Sequence, residues 1–598
     1  MALPNMAAYR SFVFALLVSS VLAVWPLPSS SSYGSSVLYI DPGVRVTYTL
    51  SNQVYTPTEA MFNSVLGWLR FQFIQNASGY GSPYGQRSSI VSTAIDCTLD
   101  TIFTKTFYPW KLRPRNTNFD PPAETNNRIA TINLIQYKPD PTNSSSTRAD
   151  NLDESYSLSV TTSGTVTITA NSSVGISYGL TTFSQLFFQT SNGRVYTDLA
   201  PVAVSDAPKF KHRGLNLDVA RSWYPPAAVL KQIDALAYNK MNRLHLHMTD
   251  SQSWPLEVPA LPLLAEKGRY GAGLTYSPDT LRYIQQYGAN RGVQVYIEID
   301  MPGHAGIVEL AYPGLTVAWN IQPDWDKWAL EPPSGALMIN SSRVDAFLDT
   351  LFGDVLPRVE PFTSYWHTGG DEVVTEQFTL EPGIESSEPT VIKPFMQRFV
   401  DRNLDQIRAL GLTPIVWQEM LLEWNLTLAD DVVIQVWKSS DSVLSSVQKG
   451  HPTIVGDYNE WYLDCGYGQW LDFLPASAPS FYPYHDYCSP RKNWRQIYEF
   501  DPLAGIPDNL THLVLGGEIH SWSEQTDPAN ADGKIWPRAA AAAEVLWSGP
   551  KDAEGNNRSQ IEVSPRLADM RERLLARGVA AEPVHMPFCT QNGTQCAL

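Results

Sequence analysis

Residues 367–374 read His-Thr-Gly-Gly-Asp-Glu-Val-Val and set two carboxylates, Asp371 and Glu372, side by side behind two glycines. Adjacent carboxylates repel each other, and paired glycines weaken a strand. An isolated run of this kind reads equally well as a polar turn. Cleavage of a glycosidic bond, however, needs two carboxyl groups with different tasks, one donating a proton and one stabilising positive charge. Neighbours in a regular strand point to opposite faces, so adjacent acids share a site only where the pleat is interrupted. Gly369 and Gly370 would interrupt it, and mutual repulsion would help keep Glu372 protonated.

The elements around this pair show what must position it. From about residue 209 the chain takes on a βα rhythm, with eight strand-like runs: "GLNLDVA", "RLHLHMTD", "VQVYIEID", "SYWHTGGDE", "TPIVWQEM", "VVIQVWK", "PTIVGDY" and "HLVLGGEIHSW". The sixth and seventh are short or irregular. Helices between them carry proper punctuation. "PPAAVLKQIDALAYNK" opens on prolines, "SPDTLRYIQQYGANRG" has Ser277 as cap and Pro278 in the first helical position, and "KPFMQRFVDRNLDQIRALG" ends in glycine. Eight strands with crossover helices over nearly 400 residues predict a (β/α)8 TIM barrel, class α/β.

Side chains at strand C-terminal ends of such a barrel face the active site. Here those ends bear Asp218, Arg221, Asp250, Glu298, Asp300, Asp371, Glu372, Trp417, Glu419, Trp437, Glu518 and Trp522. Indole faces stack on sugar rings, and charged side chains hydrogen-bond hydroxyls. Acids, one arginine and tryptophans at one mouth point to a sugar site. Taken singly, each has a structural reading: Arg221 a rim ion pair, Trp417 and Trp437 core, His304 a satisfied buried histidine. "HLHMTD" is the rival motif, because His245 and His247 share a strand face with Asp250 following, a spacing that resembles metal ligation in barrel hydrolases. Such sites draw further histidines from later strands, and only His304, His367 and His520 lie near other strand ends.

Ahead of the barrel, residues 36–208 alternate short β-like runs with a few helical ones and predict a smaller α+β domain. "YSLSVTTSGTVTITA" reads as a hairpin with a Ser-Gly turn, and "SVGISYGLTTFSQLFFQ" has helical spacing. "YPWKLRPRNTNFDPPAETNN" is a candidate linker or processing site. Residues 24–35, rich in serine, are expected to be flexible. Residues 1–23 have the basic start, apolar run and small-residue end of a secretory signal. Eight N-x-S/T sequons begin at Asn76, Asn143, Asn171, Asn340, Asn425, Asn509, Asn557 and Asn592, so a secreted glycoprotein is expected. Of five cysteines, Cys465–Cys488 and Cys589–Cys596 close short loops and are expected to pair, leaving Cys97 over. The net charge of −17 disfavours nucleic acid and anionic membrane as partners.

"HTGGDE" resembles the H-x-G-G-D-E signature of the β-N-acetylhexosaminidases, glycoside hydrolase family 20. "RGLNLDVAR", "YNKMNRLHLHMTDSQSWPLE", "EIDMPGHA", "VWQEM", "VIQVWK", "YLDCG" and "GGEIHSWSE" resemble family blocks in the family's order. The segment before the barrel (residues 36–208) resembles the family's non-catalytic domain, and its basic Pro-rich stretch the propeptide region of fungal members; residues 209–598 would be catalytic. The resemblance implies retaining, substrate-assisted hydrolysis of terminal β-linked N-acetylglucosamine or N-acetylgalactosamine, with no cofactor or metal. Glu372 would be the acid and then the base, Asp371 would hold the acetamido N–H, and Tyr462 would hold the acetamido oxygen. Trp417, Trp437 and Trp522 would wall the pocket, Arg221 and Glu524 would grip hydroxyls with Asp464 assisting, and Asp250 and His304 would support Glu372. Partners implied are β-N-acetylhexosaminide oligosaccharides and, as is common in the family, a homodimer. Two other readings stand beside this one: a secreted glycan-binding barrel without catalysis, and a metal-dependent barrel hydrolase using His245 and His247. Unlike many fungal members, the chain has no cysteine pair in the loops that follow "EIDMPGHA", near the third and fourth strands.

Overall fold

The computed structural model describes residues 24–51, 53–55, 90–122, 127–141, 152–591 and 593–598. The expected signal and the sequons at Asn76, Asn143 and Asn592 lie outside these residues.

The first unit is a seven-stranded sheet in the order Gln53–Tyr55, Ser30–Leu50, Arg128–Gln136, Thr165–Ala170, Tyr156–Val160, Val195–Asp206, Phe188–Gln189. Its buried face alternates cleanly: Tyr156, Leu158 and Val160 are buried while Ser157 and Ser159 are exposed. Helices Ile90–Thr104 and Ser173–Ser184 join that face in one core with Ile95, Ile102, Ile132, Ile168, Ile176 and Leu180. Ser172 caps the second helix by accepting the Gly175 N–H at 3.1 Å. The expected hairpin is present, pairing Tyr156 with Ala170 and Val160 with Val166.

The serine-rich segment corrects the expectation of flexibility. Ser30–Ser36 pairs antiparallel with Ala200–Ser205, because Val195–Asp206 offers the sheet a free edge that small side chains can line. Just before it, Trp25 is fully buried at the seam between the two units. Its indole N–H donates to the Ala540 carbonyl at 3.1 Å, and Gln185 brackets its backbone through N–H and carbonyl at 2.8 and 2.9 Å. Buried ion pairs complete the seam: Arg213–Glu154 at 2.6 Å and Lys240–Asp206 at 3.1 Å. The Pro-rich stretch likewise packs between units where it is described, with Lys111 on Glu572 at 3.0 Å and Arg113 on Asp198 at 3.1 Å.

The second unit is a closed parallel barrel of eight strands: His212–Asp218, Arg243–Thr249, Gln294–Ile299, Tyr365–His367, Thr413–Trp417, Val433–Val436, Thr453–Val455 and Val514–Ser521. All eight expected runs contain a barrel strand, and the sixth and seventh are indeed short. The three helices read from the sequence form over Pro226–Tyr238, Pro278–Ala289 and Pro389–Ala409. Ser277 accepts the Thr280 N–H at 3.2 Å. Both expected disulfides form, and Cys97 is free. Among the described residues no helix is long and apolar enough to cross a membrane.

Candidate active site

The fourth strand ends at His367, and the chain then leaves the pleat. Gly369, Gly370 and Glu372 all have positive φ, at 67°, 107° and 53°. A side chain at Gly369 would run into Asp300, since its Cβ would lie 1.8 Å from Oδ1. The Gly370 N–H donates to that same Asp300 oxygen at 2.7 Å. This turn brings both carboxyls to the mouth, as the glycine pair predicted. Asp371 ends buried; the Glu372 side chain keeps a quarter of its surface.

The pair is held differently on its two sides. Burial, then Asp300, drives the Asp371 carboxyl well above the usual range, and Glu372 adds to this. Burial also pushes Asp300 up to about 7. Two buried carboxyls in contact share one proton, so the repulsion predicted at 371–372 is felt most sharply between Asp371 and Asp300. On the other side His304 Nε2 lies 3.4 Å from Glu372 Oε2, and its Nδ1 lies 3.2 Å from Asp250 Oδ1. Burial opposes a charge on His304, but Asp250 and Asp371 outweigh it and hold the imidazole well above its usual value.

Arg221 follows the first strand. It pairs with Asp250 at 2.9 Å, Asp218 at 3.4 Å and Glu331, and its guanidinium lies 5.2 Å from the Trp522 ring centre. Burial drives Glu524 up while Arg221 pulls it down, which puts this acid beside the same cation. Glu331 has no counterpart in the sequence reading. It sits in the long connection after the third strand, without regular spacing, and only its acidity next to a Pro-Pro pair marked it.

Trp437, Tyr462 and Trp522 belong to one aromatic cluster, with Trp437 and Tyr462 stacked at 6.3 Å and Tyr462 and Trp522 tilted to each other at 6.4 Å. Asp464, two residues beyond Tyr462, is pushed up to about 7 by burial. The Trp437 indole donates to Glu419 at 2.9 Å, and Glu419 is itself raised to about 8 by burial and by Asp371. Trp417 corrects the expectation of a sugar-facing wall. It has no exposed surface, and its indole donates to Glu298 at 2.7 Å from behind Trp522. The last residue of a barrel strand points into the barrel, where this polar anchor waits.

The rival histidine motif points inward too. His245 lies 3.1 Å from both Glu298 and Glu518, and His247 lies 2.5 Å from Glu298 and 2.8 Å from Asp250. His245, Glu298 and His367 bring possible ligand atoms within 4.8 Å of one another. Burial opposes charge on these groups, yet the histidines win and hold Glu298 and Glu518 well below the usual carboxylate range. The motif therefore supplies countercharges to two buried acids.

A cysteine pair after the third strand is replaced by other ties. Thr316–Val317 pairs with Ala336–Leu337, and Glu381 accepts the Ile339 and Asn340 N–H groups, the former at 3.1 Å.

The family profile described as "Glycosyl hydrolase family 20, catalytic domain" matches residues 210–550, and that described as "beta-acetyl hexosaminidase like" matches residues 24–186. A beta-hexosaminidase of Arthroderma benhamiae is 41% identical over 97% of this chain and 98% of its own. The chitooligosaccharidolytic beta-N-acetylglucosaminidase of Ostrinia furnacalis is 33% identical over 74% of this chain and 75% of its own. In fold, the chain resembles the exo beta-N-acetylglucosaminidase of Vibrio harveyi solved with N-acetylglucosamine, with a TM-score of 0.69 and 21% identity over 98% of this chain and 82% of that one.

Proposed function

The chain belongs to glycosyl hydrolase family 20, and on that premise we propose that it removes terminal β-linked N-acetylglucosamine or N-acetylgalactosamine from chitooligosaccharides and glycoconjugates, with retention and through an oxazolinium ring. The observation that carries this reading is the turn at Gly369–Gly370, which delivers Asp371 and Glu372 to one mouth with His304 behind the acid. The substrate's acetamido oxygen attacks C1 as Glu372 gives its proton to the departing glycosidic oxygen. Asp371 holds the acetamido N–H and faces the positive charge that develops, and that charge draws the shared proton onto Asp300. Glu372 then takes a proton from water as the water attacks C1 and the ring opens.

Tyr462 holds the acetamido oxygen while Trp437 and Trp522 enclose the sugar. Arg221, Glu524 and Asp464 take its hydroxyls. Asp250 and His304 hold Glu372 in place. Exposed sequons at Asn340, Asn425, Asn509 and Asn557, with two disulfides, support a secreted glycoprotein. The family likeness supports a homodimer, which sedimentation velocity checks. The reading as a whole is tested by comparing kinetics on β-GlcNAc, β-GalNAc and β-glucose aryl glycosides and on chitobiose. Activity confined to the acetamido sugars is the expected result, and equal turnover of the β-glucoside would overturn substrate assistance.

A further inference from the structure

We propose that Glu298, which contacts no substrate, is a positioning residue for this hydrolysis: one carboxylate oxygen holds the Trp417 floor beneath Trp522, and the other holds the His247 that anchors Asp250. This rests on the glycosidase reading above and deepens it.

Glu298 lies on the third barrel strand, fully buried. Oε1 accepts the Trp417 indole N–H at 2.7 Å and lies 3.2 Å from His367 Nδ1. Oε2 lies 2.5 Å from His247 Nδ1 and 3.1 Å from His245 Nε2. Its two oxygens thus face three other strands, and both arms converge on Trp522. Trp417 lies 6.2 Å from the Trp522 ring, and His247 meets it edge-on at 5.0 Å. Trp522 in turn underlies Arg221.

The second arm continues to the acid. His247 Nε2 lies 2.8 Å from Asp250 Oδ2, Asp250 Oδ1 lies 3.2 Å from His304 Nδ1, and His304 Nε2 lies 3.4 Å from Glu372 Oε2. Each link joins groups of opposite charge or groups able to exchange a proton, so the chain is fixed in both place and charge. Two carboxylates at the barrel centre make this affordable. Glu298 and Glu518 are matched by His245 and His247, whose imidazoles are raised despite burial, His247 to about 10. His367 and His520 are pushed down to about 3, chiefly by burial, and stay neutral. The other groups facing this centre are His212, which lies 2.7 Å from Glu518, and Tyr296, which donates to it. Asp300, just beyond the end of the strand that carries Glu298, faces Asp371.

Removing the charge of Glu298 releases the proton of His247. Asp250 then keeps its negative charge with one cation fewer beside it, and the anchor behind His304 and Glu372 is weakened. In Glu298→Gln, checked for folding by circular dichroism and gel filtration, kcat/KM for 4-nitrophenyl β-GlcNAc should fall about tenfold or more, the scale on which orienting partners act. Its pH profile should also change, because the charge beside Asp250 has changed. Trp417→Phe keeps a ring but deletes the N–H, and should raise KM by about threefold or more while leaving the pH profile where it was. A folded Glu298→Gln with the wild-type pH profile overturns the proposal. Should Glu298→Gln fail to fold, Trp417→Phe decides: a raised KM supports the joint, and unchanged kinetics overturn it. An inactive wild type would instead overturn the glycosidase reading, and the role of Glu298 with it.

Discussion

His304 and Glu372 face each other with Nε2 and Oε2 3.4 Å apart, and both have left-handed backbones, at φ 51° and 53°. Such a conformation costs a residue with a Cβ roughly 1–2 kcal/mol. The surrounding turns hold both, so the acid is aimed before substrate arrives. Glu372→Gln should lower kcat on chitobiose by about 10²–10⁴-fold, the worth of a positioned general acid. Aryl glycosides with good leaving groups should lose less in the first step. Steady-state kinetics on both substrates check this, and a chitobiose rate within about threefold of wild type would refute the assignment.

Asp371 never bonds to the sugar in this mechanism. Asp371→Asn should lose both rate and affinity for a GlcNAc-thiazoline, a stable mimic of the oxazolinium ring. The electrostatic share amounts to about 3–4 kcal/mol in a dry site. Labelling of Asp371 by a 2-deoxy-2-fluoro glycoside, read by peptide mass, would show a nucleophile instead.

In the proposed reading, Trp437 and Trp522 enclose the sugar from the aromatic cluster they share. Trp437→Ala or Trp522→Ala should each cost about 1–3 kcal/mol in kcat/KM, the scale of burying a large aromatic face. Neutral effects at both would move the pocket elsewhere.

The pH dependence of stability follows from the buried groups. Asp300 and Asp464 are raised to about 7, Glu419 to about 8 and His247 to about 10, so each binds its proton more tightly folded than unfolded. Their contribution is complete below the unfolded values and is lost as pH rises through the folded ones. His367 and His520, lowered to about 3, are neutral in both states above about 6.5 and add no slope there. Tm should therefore fall between about pH 6.5 and 8. Calorimetry checks it, and a rising Tm over that window would contradict these environments.

Trp25 bridges the two units with a fully buried indole. Trp25→Ala should destabilise the protein by about 3–5 kcal/mol through the cavity left behind. Denaturant melts followed by tryptophan fluorescence and by activity would show it, and a loss under about 1 kcal/mol would mean the seam closes without it.

EDTA dialysis should leave activity intact, since His245 and His247 already face carboxylates. Loss of activity with rescue by zinc would return those histidines to the centre of the reaction.

Periodicity and punctuation in the sequence determined the barrel, its eight strands, three of its helices and the hairpin before it, because alternation and helix caps are local signals. The paired glycines likewise announced a break in the pleat at Asp371, since only a few backbones place adjacent acids together. Tertiary structure alone decided the rest. That Trp417 is fully buried while Trp437 and Trp522 keep an exposed edge depends on where Glu298 stands across the barrel. That Ser30–Ser36 is a strand depends on an edge offered some 170 residues away. That Glu331 reaches Arg221 depends on the path of a connection without regular spacing. Most of all, the chemical meaning of "HLHMTD" was set by Glu298 and Glu518 on other strands. Burial makes a charge depend on its partners, and partners across a barrel leave no trace in local spacing.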